Sequence, residues 1–528
     1  MTTTARIRGQ EAWRFASDVL AERSERGFAI RFVITVALLL AVPWAVSLVD
    51  LPGVLRYLVP ASGALILALV YTRWPLEALY SLAMYVAFYD TIGLHVRAIK
   101  QIDELTVVFI LPIALSRTWR LCGAWTWWPR DVLIGAALAL GIVSSLVANV
   151  EPGVWLPALA LAAKAILFFY IVLWSRFDGW AISGAMRVTV GIGVTVVTLG
   201  LVEMLFSSAF QAAFGLNEYR RYRGEYLVVK SLFTHPALFG FVSTFAALFA
   251  FAYYLTTRRG IWLLAALFIS LGTFLSARRR AILALGVGLL TAAVATRRVL
   301  AGFRDGLRLW LPVAGGLVLL LAIFMSGMSD NFYRAFERYW VDSVVSPPTV
   351  GAPPVGGSEN PQARVRLYTT SVEIARDHFP LGAGLGRYGS WMSREVYSPI
   401  YTEYELDEVR GLWPAREATA TLRARVAAPS ATDTFWPAIL GEMGVIGLIA
   451  YVGFMATLAW MLWFEARRDE DGMLLRTFRL AAGMVFAQAI IESLASSMFY
   501  SPPRVYLFYL VVGIVASLAW RRRASAPE

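Results

Sequence analysis

Three consecutive arginines, Arg278, Arg279 and Arg280, join two apolar blocks with almost no linking residues, Leu275-Ser276-Ala277 before them and Ala281 after. An arginine costs about 2.5–3.5 kcal/mol at the centre of a membrane-crossing helix, and its planar fork suits bidentate capture of phosphate oxygens. Two partners are open for this run: lipid headgroup phosphates reached by snorkelling, or a bound diphosphate. A second basic cluster, Tyr219-Arg220-Arg221-Tyr222-Arg223-Gly224, precedes an apolar block opening on Thr234-His235-Pro236, where His235 is expected to cap a helix start.

Carboxylates offer the complementary chemistry. Asp433 stands just before an apolar block beginning Phe435-Trp436-Pro437, so it suits either a helix cap or a general base for an attacking hydroxyl. Glu442, Glu492 and Glu203 sit among apolar residues, where an ionisable group is by default paired or functional. Glu442 is expected either to pair with an arginine of the run or to pack, neutral and hydrogen-bonded, between helices. The stretch from Asp377 and His378 through Pro380 to Gly389 is glycine-rich and contains a G-x-G-x-x-G string. That string follows a helix-like segment rather than a strand, so it lacks the context of a dinucleotide site. One cysteine, Cys122, excludes a thiolate metal centre; with only His95, His235 and His378 beside it, no metal or cofactor is expected.

The elements that must position these groups are helices in a membrane. Of 528 residues, 58% are hydrophobic and 16% charged, and the mean hydropathy is +0.61, against roughly 45–50% apolar residues in soluble domains. Apolar blocks run over residues 29–49, 54–72, 76–94, 104–118, 132–149, 155–174, 186–206, 233–255, 261–277, 281–296, 309–326, 435–464, 480–498 and 504–520. The pattern predicts an all-α polytopic bundle of about fourteen spans. Its parts are a cytoplasmic segment at 1–28, about eleven spans in 29–326, an extracytoplasmic loop at 327–432, about three spans in 433–520, and a cytoplasmic tail at 521–528. No secretory signal is read at the start.

The net charge of +12 fits this topology, because Arg73, Arg117, Arg176, Arg258, Arg297, Arg467 and Arg521 all fall inside and need no nucleic acid to explain them. Two segments break the rule. The arginine run and the 219–230 connection both face outward, which gives them a shared cause if they flank one anion. In the loop, residues 362–377 have mixed apolar and charged faces and carry Arg364, Arg366 and Arg376, as does a helix lying on the outer surface or capping a cavity. The aromatics Tyr388, Trp391, Tyr397, Tyr401, Tyr404 and Trp413 suit either sugar stacking or an interfacial belt.

An Arg-bearing amphipathic helix ending in His378-Phe379-Pro380-Leu381-Gly382-Ala383-Gly384-Leu385-Gly386, followed by a span with Glu442-Met443-Gly444-Val445-Ile446-Gly447, resembles the O-antigen ligase and Wzy-type polymerase superfamily. The resemblance covers about residues 200–460. It implies glycosyl transfer outside the bacterial inner membrane, from a polyprenyl-diphosphate-linked oligosaccharide to an acceptor hydroxyl, without metal or nucleotide sugar. It further implies that Arg279, closing the Leu-Ser-x-x-Arg element, and Arg221 or Arg223 bind the diphosphate. Beside these, the residues themselves suggest that Arg278 and Arg280 contribute, that Arg364, Arg366 and Arg376 either contact diphosphate or acidic sugar or form a solvated helix face, and that His378 and Glu442 support the site. Ligases of this superfamily commonly carry a His nine residues before the Glu of Glu-x-Gly. Asp433 stands there in this chain, which favours an inverting polymerase of exopolysaccharide or O-antigen units, with Asp433 as base. Its expected partners are the lipid-linked donor, the growing polysaccharide, membrane lipids and a chain-length regulator. The alternatives are a ligase transferring glycan to lipid A-core or protein, and a non-enzymatic flippase or transporter of lipid-linked sugars.

Overall fold

The protein is described by a computed structural model over residues 25–47, 57–92, 101–122, 128–214, 222–223, 226–297, 303–326, 361–406, 434–465 and 472–524. In chain order the main helices are α1 (Glu25–Ser47), α2 (Leu58–Arg73), α3 (Pro75–Ile92), α4 (Ile102–Cys122), α5 (Pro129–Val147), α6 (Pro152–Trp174) and α7 (Gly179–Leu205). There follow the short α8 (Ser207–Ala213), the two-residue strand pair β1 (Tyr222–Arg223) and β2 (Tyr226–Leu227), α9 (Pro236–Thr257), α10 (Gly260–Leu275), α11 (Arg279–Arg297) and α12 (Phe303–Ser326). The third group is α13 (Pro361–Asp377), the short α14 (Trp391–Glu395) and α15 (Ile400–Glu403), then α16 (Phe435–Trp460), α17 (Met473–Ser493) and α18 (Arg504–Ala524).

Each apolar block of the sequence coincides with a helix. Nine helices among the described residues are long and apolar enough to cross a membrane, and four more are apolar but shorter. Pro75, Pro129 and Pro152 each open a helix one to three residues before the predicted block, whereas Pro236 opens one three residues inside it. Proline is preorganised for that first turn and loses no hydrogen bond there.

Helix α9 is the axis of the bundle. Its apolar window is buried all round, packed by α7, α10, α11 and α17. Helices α5 and α16 pair closely, as do α11 and α17, and α6 with α18. At the start of α9 a side chain on Gly240 would lie 2.6 Å from Ser276 Oγ, so glycine there lets α9 approach the end of α10 and the arginine run.

Contacts sort the helix ends into two caps. One cap joins the starts of α9, α11 and α16 to the ends of α5, α7 and α17. The other joins the ends of α2, α4, α6 and α18: Ser175 bonds the Tyr71 hydroxyl at 2.8 Å, its carbonyl accepts from Ser517 and Arg521, and the Arg117 guanidinium lies over the Tyr71 ring. Nearby, Arg31 forms a buried ion pair with Glu77 at 2.9 Å between the rings of Trp74 and Trp180.

Candidate functional site

The arginine run lies at the first cap, between α10 and the first turn of α11. Ala277 has a left-handed backbone, φ 50°, unusual for a residue with a side chain, and the turn is braced where Ser276 Oγ accepts from Arg278 N at 3.3 Å. The three guanidinium groups then diverge. Arg278 is 5% exposed, with Nη2 3.2 Å from His235 Nε2. His235 caps α9 as expected, its Nδ1 accepting from Ala237 N at 3.2 Å. Arg279 is exposed. Arg280 pairs with the buried carboxylate of Glu492 at 3.3 Å and donates to Ala495 O at 2.7 Å, tying α11 to the end of α17.

The segment that trails the second basic cluster is drawn to the same place. Val229 N donates to Leu275 O at 3.2 Å, next to the arginine run. Glu203, at the end of α7, accepts from Lys230 N at 2.9 Å and from Ser231 N at 2.6 Å. Burial pushes the pKa of Lys230 down, with the Glu203 carboxylate opposing it. Only the backbone of Arg223 is described, in β1, and Arg221 and Asp433 lie outside the described residues. Thr434, which follows Asp433, is buried, and Trp436 Nε1 donates to Ser493 Oγ at 2.9 Å, so α16 starts beside Glu492.

The amphipathic helix read from the sequence at 362–377 forms as α13, and it packs on α16. The Tyr368 hydroxyl donates to Leu494 O at 2.7 Å, one residue from the Arg280 contact. Arg364, half-buried, stands one helical turn before Tyr368 on the same face. Arg366 donates to Tyr404 O at 3.4 Å, Arg376 is exposed, and His378 is half-buried. The carbonyl of His378 accepts from Leu381 N and Gly382 N at 3.1 and 3.0 Å.

Between α13 and α14 the glycine-rich turn is set onto α5 and α16. Helix α16 breaks at Gly444, φ 67° and ψ −168°; there Gly441 O accepts from Ala383 N at 2.8 Å and Glu442 O from Gly384 N at 3.0 Å. Ser144 Oγ bonds Glu442 O at 2.8 Å, and Ser145 Oγ accepts from Leu385 N at 2.9 Å. A side chain on Gly444 would lie 2.2 Å from Pro380 O, and one on Gly382 would lie 2.5 Å from Gly444 N. The Glu442 side chain is 2% exposed and accepts from Ser390 Oγ at 2.6 Å and Tyr388 N at 3.1 Å.

Of the two roles open for Glu442 in the sequence, hydrogen bonding is the one observed, and its partners belong to the loop; the arginine run finds its carboxylate in Glu492. The aromatics divide differently from either expectation. Tyr388 and Tyr401 are buried with Leu367, Ile374, Ala383, Ile400 and Leu406 in a small core of the loop, Trp391 is exposed, and Trp413 lies outside the described residues. Burial first, and a hydrogen bond to Asp377 second, raise the pKa of the Tyr404 phenol. Sequence reasoning missed Ser144, Ser145, Tyr368 and Ser390, because hydroxyls in apolar helices and loops carry no period or charge to single them out. Phosphate or diphosphate chemistry is what the exposed Arg279, the Arg278–His235 pair and Arg364 are equipped for. No family model matches the chain, and no curated protein matches it.

Proposed function

We propose that the protein is a multi-pass glycosyltransferase of the bacterial inner membrane that polymerises polyprenyl-diphosphate-linked oligosaccharide repeat units on the outer face. In this reading all fourteen helices that carry the apolar blocks of the sequence cross the bilayer, and the cap holding Arg278–Arg280 faces the periplasm or exterior. The observation that carries it is the meeting at one cap of the arginine run, the 228–231 segment behind the second basic cluster, and the arginine-bearing helix α13. Cations gathered at a lipid–water boundary suit a lipid-linked diphosphate, whose negative charge grows as it leaves.

The reaction is a single displacement. The hydroxyl oxygen of the acceptor unit bonds to the anomeric carbon of the donor, the bond from that carbon to the diphosphate oxygen breaks, and configuration inverts. Asp433 takes the hydroxyl proton; Arg279, with Arg278 and Arg221 or Arg223, holds the departing polyprenyl diphosphate. Lipid-linked repeat units given to the purified protein test this directly. A ladder of longer lipid-linked products without added acceptor is expected, lost in Asp433→Ala and Arg279→Ala. Transfer only when lipid A-core or protein is supplied makes it a ligase, and movement of lipid-linked sugar across vesicles without elongation makes it a transporter.

A further inference from the structure

The two motifs of the loop and of α16 form a joint whose output lies elsewhere. From Glu442 a continuous set of contacts runs outward. The carboxylate holds Tyr388 N and Ser390 Oγ; the Tyr388 hydroxyl donates to Leu367 O in α13 at 2.6 Å; the next residue, Tyr368, bonds Leu494 O; and Ala495 O receives Arg280. Ser390 and Tyr401 extend the same grip into α14 and α15, through Ser393 Oγ to the Tyr401 hydroxyl at 2.9 Å and Gly389 N to Tyr401 at 3.0 Å. Nothing else among the described residues gives the glycine-rich turn a charged acceptor. A buried carboxylate that holds an amide and a hydroxyl fixes their geometry, and removing it leaves each donor without its acceptor in a dry place.

We propose that Glu442 is a positioning residue: its carboxylate clasps the turn at 388–390 and thereby holds α13, which carries Arg364, at the cap of the arginine run. Glu442 touches no substrate in this account. The clasp itself stands on geometry alone, whereas its effect on donor binding rests on the function proposed above.

The test uses the full-length protein in lipid nanodiscs, comparing wild type with Glu442→Ala, Glu442→Gln and Ser390→Ala. Hydrogen exchange at residues 380–390 is expected to quicken at least about tenfold in Glu442→Ala, while residues 236–255 of α9 exchange as in wild type. Glu442→Gln keeps one oxygen acceptor and is expected to restore most of the protection. Unchanged exchange at 380–390 in Glu442→Ala overturns the clasp. Where Glu442→Ala fails to fold, Ser390→Ala decides, with a smaller quickening at the same residues expected and none overturning it. In the elongation assay, KM for polyprenyl-diphosphate-linked repeat units is expected to rise about tenfold in Glu442→Ala, with kcat changing less and Gln rescuing. A fall in kcat at unchanged KM overturns the link to Arg364. If wild type elongates nothing, the function fails while the exchange result still stands; if it elongates and exchange is unaltered, the clasp alone fails.

Discussion

Arg278, Arg279 and Arg280 are adjacent in the chain yet differ in what their loss should do. Arg280 is largely buried and shares an ion pair with Glu492, whose side chain is 1% exposed. Breaking such a pair from one side leaves a buried charge uncompensated, at about 3–5 kcal/mol. Arg280→Ala is therefore expected to lower stability by about 3 kcal/mol, read as thermal unfolding in detergent, and Arg280→Met combined with Glu492→Met to recover most of it. Arg279→Ala, at an exposed position, is expected to change stability by under about 0.5 kcal/mol while abolishing elongation. The sequence marks all three as candidate phosphate ligands, because residue type and spacing do not show that a carboxylate far along the chain is folded against only one of them. For Glu442 the pattern was informative about burial and silent about partner, since a backbone amide at Tyr388 and the hydroxyl of one serine among many, Ser390, leave no mark in composition.

At the level of elements, helix starts and ends were largely legible, since proline, apolar runs and flanking arginines each have a direct conformational consequence. The joint between elements was not. The glycines at 382, 384, 386 and 389 announce a tight turn, and all four have positive φ. That this turn threads into a break in α16 follows from two backbones meeting, which neither segment reveals alone. Gly444→Ala would add a side chain 2.2 Å from Pro380 O at a φ of 67°. It is expected to cost about 2 kcal/mol or more, visible as faster proteolysis of the loop before the bundle melts. Glu203 works similarly at the end of α7, where a buried polar residue was legible but the 228–231 segment it anchors was not. Glu203→Ala removes the acceptor of two amides, each worth about 1–3 kcal/mol when left unpaired in the interior. Exchange at 228–232 should quicken while α7 stays protected; unchanged exchange there would show that the bonds of Val229 N to Leu275 O and of Ser231 Oγ to Val196 O hold the segment without Glu203.

Across the whole molecule the sorting of charge is more telling than its total. The cap that joins Arg31, Glu77, Trp74 and Trp180, and carries Arg117 and Arg521 against Tyr71 and Ser175, holds these three arginines by an ion pair, ring contacts and a helix-end carbonyl. The opposite cap pairs Arg280 with Glu492, carries the buried Arg278 and the exposed Arg279 where α11 begins, and holds α13, with the half-buried Arg364 one turn before Tyr368, through the Tyr368 bond to Leu494 O. Helix α9, whose apolar window is buried throughout, runs from one cap to the other. If the cap that holds the arginine run is the outer one, a thiol at position 376 must be open to reagent from outside the inner membrane and one at position 259 must not; both positions are exposed and belong to opposite caps. The single native cysteine makes the measurement clean. In a Cys122→Ser background, Arg376→Cys in spheroplasts should react with a membrane-impermeant maleimide, and Arg259→Cys should react only after permeabilisation. Labelling in the reverse order would put the arginine run in the cytoplasm, where a donor presented on the outer leaflet never arrives, and the polymerase reading would fall whatever the stability variants show.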